Sequence, residues 1–128
     1  IIYMKKKILI VEDEPSLRSA LRDKIKDQGF EVFTGANGKE GLKQAIKNKP
    51  DLILLDIIMP KVDGVTMLKK LREESKWGKE VPVVILTNLG ADDEIVKDCL
   101  ETKPVYYLIK SEVSLEEVIE RIKMYLKM

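Results

Sequence analysis

Five short strand-like runs, at residues 8–11, 30–34, 52–55, 83–86 and 105–109, alternate with stretches whose apolar residues recur at helical spacing. This alternation constrains the chain more than any other feature. Strands that alternate with helices are joined by crossovers, so they lie parallel in one sheet with helices packed on both faces. The middle run sharpens the expectation. Leu52-Ile53-Leu54-Leu55 contains no polar residue, lies between Pro50-Asp51 and Met59-Pro60, and ends on Asp56. A strand with no polar face is buried on both sides, as in the centre of a parallel sheet. Asp56 then stands at its carboxyl end.

The helical stretches carry their own punctuation. Pro15 suits a first turn, Leu17, Ala20, Leu21 and Ile25 mark one face, and Gly29 stops that helix. Leu42, Ala45 and Ile46 form the second stripe. Asp63 is placed to cap a third helix through Val65, Leu68 and Leu71, with Gly64 allowing close packing beside it and fraying near Trp77-Gly78. Asp92 is expected to cap a fourth, with Ile95, Val96, Cys99 and Leu100 facing inward and Pro104 ending it. Ser114 and Glu117 have capping-box spacing before the fifth. The expected architecture is therefore α/β: a doubly wound five-stranded parallel sheet in order 2-1-3-4-5, built as one domain over 1–128. Met4 reads as the natural start, with residues 1–3 left from cloning or upstream sequence.

At 128 residues such a domain buries roughly two thirds of the surface its unfolded chain exposes, enough for a core. The formal net charge of +1 gives no basic field for nucleic acid. Cys99 is the only cysteine and histidine is absent, which removes an internal disulfide, a thiolate–imidazole zinc site and a histidine-assisted nucleophile. No apolar run is long enough to cross a membrane, and a cytoplasmic protein is expected. Any metal must take oxygen ligands.

A parallel sheet brings all strand carboxyl ends to one edge, where open α/β sheets bind their ligands. Glu12 and Asp13 after the first strand, Asp56 after the third, Thr87 after the fourth and Lys110 after the fifth should meet there. Three carboxylates that close repel one another by several kcal/mol per pair at an effective dielectric near 20. Lys110 offsets part of this charge. A hard divalent cation is the natural complement for the rest, and a small site that retains waters favours Mg²⁺. A carboxylate, a hydroxyl, an ammonium and a metal can together surround a phosphoryl group in transfer, with Asp56 as the acceptor that forms an acyl phosphate.

The set Glu12-Asp13, Asp56, Met59-Pro60, Asp63-Gly64, Thr87, Tyr107 and Lys110 resembles the receiver domain of two-component response regulators, a flavodoxin-like (βα)5 family, over essentially the whole chain from Lys5. The resemblance implies that Asp13, Asp56 and the backbone carbonyl of Ile58 ligate Mg²⁺, with Glu12 completing the acidic pair. It implies a sensor histidine kinase or phosphotransfer protein as donor to Asp56, and Thr87 and Tyr107 as switch residues. Lys110 pairs with the phosphate, and the fourth helix, fifth strand and fifth helix present an altered surface to a downstream effector. It leaves room for a phosphorylation-dependent dimer, and for neither direct nucleic-acid binding by this domain nor a membrane. Two positions depart from the pattern: Ser111 stands where proline most often follows the lysine, and Asn88 where alanine or glycine is common. Ile58 and Leu89 are apolar where water access to the acyl phosphate is usually set, which points to slow autodephosphorylation.

Each residue alone has a plainer reading. Asp13 could cap a helix, Thr87 is a strand former, Lys110 a solvated lysine and Tyr107 a half-buried aromatic. An aspartyl phosphatase would carry a second acid two residues beyond the nucleophile, where this chain has Ile58. A flavin site would want a phosphate-cradling loop after the first strand, where Glu12-Asp13-Glu14 repels phosphate. The remaining alternative is a receiver-shaped interaction module that is never phosphorylated.

Overall fold

The computed structural model describes residues 5–59 and 63–127. Residues 1–3, Met4 and Pro60, on which part of the sequence reading rests, lie outside them. The elements run β1 (Lys7–Val11), α1 (Pro15–Asp27), β2 (Glu31–Gly35), α2 (Gly38–Asn48), β3 (Leu52–Leu55), α3 (Gly64–Glu74), α4 (Lys76–Glu80), β4 (Val83–Thr87), α5 (Glu94–Leu100), β5 (Val105–Ile109) and α6 (Leu115–Tyr125), with a 3-10 turn at Lys110–Glu112. All strand pairs are parallel and the order is β2-β1-β3-β4-β5, as the alternation predicts.

The sheet separates two cores. Leu9, Val11, Ile53, Leu55, Val83 and Ile85 point toward α2, α3 and α5, meeting Ala45, Met67, Leu71 and Cys99. Ile8, Ile10, Leu52, Leu54 and Val84 point the other way, against Leu21 and Ile25 of α1 and Val118, Ile119 and Ile122 of α6. All four residues of β3 are at most 1% exposed. Burying a leucine or isoleucine side chain contributes about 1.5–3 kcal/mol, so slipping this strand by one residue gains nothing on either face, while its neighbours β1 and β4 fix the register.

Several boundaries differ from the sequence reading. The third helix does not fray toward Trp77. It ends at Glu74, and Ser75 starts the separate turn α4 by accepting the Gly78 amide, because a serine side chain in extended backbone offers the new turn its first acceptor. Asp93, not Asp92, caps α5 by accepting from the Ile95 amide. Ile95, expected on the inner face, is 39% exposed, whereas Val96 and Cys99 are buried as expected. Ala20 is likewise exposed rather than part of the α1 core face. Asn37, within the expected turn, is a buried cap whose side chain accepts the Glu40 amide. Asp63 caps α3 through the Thr66 amide, and Ser114 and Glu117 form the expected capping box. The cis peptide among the described residues is Lys103–Pro104, so Lys110–Ser111 is trans.

Candidate functional site at the carboxyl edge of the sheet

The ladder that aligns β1 with its neighbours also sets the site. Val11 lies beside Leu55, and the Asp56 amide donates to the Val11 carbonyl at 3.0 Å while the Glu12 amide donates to Gly35 at 3.1 Å. Pairing therefore continues one step past each strand and brings the acids side by side. Glu12, Asp13 and Asp56 each offer a carboxylate oxygen within 4.8 Å of the others. Glu12 and Asp56 are buried, at 2% and 6% exposure, and Asp13 is the most open of the three. Asp13 does not cap α1, whose cap position is Glu14 without a side-chain bond.

Lys110 arrives from the end of β5. Its Nζ stands 2.7 Å from Glu12 Oε1 and 3.1 Å from Asp56 Oδ2, a charge-assisted pair of contacts in a half-buried setting. Burial raises the Glu12 carboxyl above its ordinary range and Asp56 adds to this, while the bonds from Lys110 and the Glu14 amide oppose it. Burial works against the Lys110 charge, but the bonds to Glu12 and Asp56 outweigh it and hold the ammonium above its usual value. One ammonium thus faces three carboxylates. The donor set is all oxygen and its charge is unbalanced, which fits a hard divalent cation such as Mg²⁺.

The remaining residues form the walls. Asp56, Ile58, Thr87, Asn88, Leu89 and Lys110 line a cavity of about 280 Å³. The Ile58 amide donates to Asp56 Oδ1 at 3.1 Å, so one carboxylate oxygen is fixed by the backbone and the other by Lys110. Thr87 is buried at 2% exposure, and its Oγ1 accepts the Leu89 amide at 3.4 Å, leaving the hydroxyl proton free to donate. Tyr107 is half-buried and its hydroxyl donates to the Leu89 carbonyl. Gly64 packs against the same strand end: a Cβ there would meet Ile57 Cα at 2.4 Å and the Asp56 carbonyl oxygen at 2.6 Å. Any side chain at that position would push Asp56 out of place.

Two contacts escaped the sequence reading. Arg18, on the first turns of α1, donates to the carbonyl of Glu12 at 2.9 Å and of Asp13 at 3.4 Å, fixing the turn that carries both acids. An arginine on a helix gives no sequence sign of this role. The Ser111 amide donates to Asn88 Oδ1 at 2.8 Å, joining the two positions that depart from the receiver pattern.

The model of the response regulator receiver domain matches residues 8–123. The chain is 39% identical over 106 residues to the alkaline phosphatase synthesis transcriptional regulatory protein PhoP of Bacillus subtilis, covering 73% of this chain and 43% of PhoP. It is 36% identical over 121 residues to the transcriptional regulatory protein PrrA of Mycobacterium bovis, covering 94% and 50% respectively. The chain thus spans half or less of the length of these curated relatives. Among solved structures, the Vibrio cholerae chemotaxis protein CheY4 superposes with a TM-score of 0.85 at 27% identity, covering 94% of this chain and 98% of CheY4. No described helix is long and apolar enough to cross a membrane. On its sequence match, its strand order and its acidic edge, the chain belongs to the response regulator receiver domain family.

Proposed function

We propose that this chain is a single receiver domain acting in the cytoplasm as a phosphorylation-activated switch, in which Asp56 takes a phosphoryl group from a sensor histidine kinase or a phosphotransfer protein. The observation that carries this reading is the environment of Asp56: a buried carboxylate 3.1 Å from Lys110, beside Glu12 and Asp13, opening into a cavity walled by Thr87. In the step, an Asp56 carboxylate oxygen bonds to phosphorus as the phosphorus–nitrogen bond of the donor histidine breaks, and that nitrogen leaves with its electron pair. Lys110 stays as counter-charge to the phosphoryl oxygens and Thr87 donates its free hydroxyl proton to one of them. Asp13, Asp56 and the Ile58 carbonyl would hold Mg²⁺, with Glu12 behind them. Bound there, the metal supplies positive charge to the transferring group.

Ile58, 51% exposed at the cavity mouth, and Leu89 offer no polar group to orient an attacking water, which supports a slow loss of the acyl phosphate. The engaged Thr87, Leu89 and Tyr107 would pass the change to the face of α5, β5 and α6, where an effector protein or a second copy binds. The test is incubation with a small phosphodonor and Mg²⁺, followed by intact mass over time. A single slowly decaying phosphoryl adduct, absent in Asp56→Asn and with chelator, is expected. A parent protein that gains no adduct would overturn the proposal in favour of an unphosphorylated interaction module.

A further inference from the structure

We infer that Asn88 and the backbone of Ser111 form a clasp that restrains the loop bearing Thr87 and so limits how fast the Asp56 cavity admits a phosphodonor; the rate effect rests on the phosphoacceptor role proposed above. Ser111 is in the 3-10 turn Lys110–Glu112, whose first amides have no partner within so short a turn and whose preceding residue, Ile109, supplies no side-chain cap. Asn88 fills that vacancy from 23 residues away, its Oδ1 accepting the Ser111 amide at 2.8 Å. The bond needs both residues as they stand. A proline at 111 would have no N–H to give, and alanine or glycine at 88 would have no acceptor.

One partner depends on the bond more than the other. Lys110 is already held by Glu12 at 2.7 Å and Asp56 at 3.1 Å, so its loop hardly needs the clasp. The loop after β4 has no charged anchor. Beside Thr87 it is held by the Leu89 amide on Thr87 Oγ1 at 3.4 Å, the Tyr107 hydroxyl on the Leu89 carbonyl, the packing of Leu89 on the core and the Asn88 clasp, and farther on by the Asp93 amide on the Gly90 carbonyl at 3.1 Å. Asn88 and Leu89 are also cavity walls, so freeing them widens the entrance over Asp56. Asn88 is thus a positioning residue for the cavity mouth, set between the residue that donates to the phosphoryl group and the one that neutralises it.

The test compares the parent with Asn88→Ala, Ser111→Ala, Ser111→Pro and the double variant Asn88→Ala/Ser111→Pro, by amide hydrogen exchange at Ser111 and by the rate of adduct formation on Asp56 with a small phosphodonor. Losing one neutral hydrogen bond is expected to change the rate about fivefold. Asn88→Ala should expose the Ser111 amide to exchange and speed adduct formation by that factor, with the thermal midpoint lower by roughly 3 °C and unfolding still cooperative. Ser111→Ala keeps the backbone donor and should match the parent. The double variant should be no faster than Asn88→Ala, since both changes break the same bond. Equal rates for parent and Asn88→Ala, or a Ser111→Ala as fast as Asn88→Ala, would overturn the inference. If the parent gains no adduct, the phosphoacceptor role falls instead, and Ser111 exchange that is unchanged in Asn88→Ala then disposes of the clasp on its own.

Discussion

Lys110 and Arg72 are half-buried cations at opposite edges of this sheet, and they are satisfied in opposite ways. Lys110, at the carboxyl edge, faces the carboxylates of Glu12 and Asp56. Arg72, on α3, reaches the amino ends of β4 and β5 and donates to four neutral carbonyls: Thr102 at 2.6 Å, Gly78 at 2.9 Å, Val81 at 2.6 Å and Pro104 at 2.8 Å. Burial lowers the Arg72 guanidinium to about 10, still far enough above neutrality for it to stay charged. Its planar fork spends its donors on fixed backbone and leaves no acceptor charge over. At Lys110 the acids outnumber the ammonium, and the surplus can be met by something from outside. A closed set of neutral partners marks a structural tie, whereas the surplus of charge at Lys110 fits the cation site proposed above.

The sharpest way to break this contrast is Arg72→Ala. It strands the carbonyls where α4 and the β4 and β5 entrances meet, and should cost about 4 kcal/mol in urea unfolding, since hydrogen bonds to charged groups are worth about 1.5–3 kcal/mol each and do not add fully. Adding Mg²⁺ should recover none of it. A loss below about 1 kcal/mol would mean that water replaces the guanidinium at little cost and that Arg72 is no tie at all.

Lys110→Met should cost less, about 2 kcal/mol in chelator, because a stranded carboxylate can take up a proton whereas a stranded carbonyl cannot. Here millimolar Mg²⁺ should restore stability, since a cation that binds only the folded chain stabilises it by mass action. A Lys110→Met that is as indifferent to Mg²⁺ as Arg72→Ala would erase the distinction between the two edges.

How much of this could be read from residues alone follows the same division. The carboxyl edge was legible because parallel strands must end together, so Glu12, Asp13, Asp56, Thr87 and Lys110 could be gathered without any contact being known. The strand order followed from alternation and the burial of 52–55. Arg72 was not legible: its acceptors are backbone carbonyls, which every residue carries, so no residue type marks the partner. Arg18 escaped for the same reason. Asn88 and Ser111 were visible only as departures, because their bond joins two loops whose approach periodicity does not report. The cap of α5 falls on Asp93, one residue beyond the expected Asp92, because the path of the chain into the helix, which residue types do not report, decides which side chain meets the free amides.

The smallest effect separates the charge at the carboxyl edge from its packing. The Glu12 carboxyl is raised above its ordinary 4.5, first by burial, so the folded chain holds this proton more tightly than the unfolded one. The associated stability is complete below pH 4.5 and is lost as pH rises through the raised value. Glu12→Gln keeps the shape and carries no charge to bury, but its single amide oxygen replaces only one of the two oxygens that accept from Lys110 and the Glu14 amide. In chelator at pH 7 it should be more stable than the parent by roughly 1 kcal/mol at most, because burial weighs more on the Glu12 charge than its bonds return while one lost hydrogen bond offsets part of the gain. Below pH 4.5 the two unfolding curves should converge, and millimolar Mg²⁺ at neutral pH should narrow the gap from the other side by stabilising the parent more. A Glu12→Gln that is less stable at pH 7 would show that the Lys110 contact outweighs the burial of charge, and would make this edge as closed as that of Arg72.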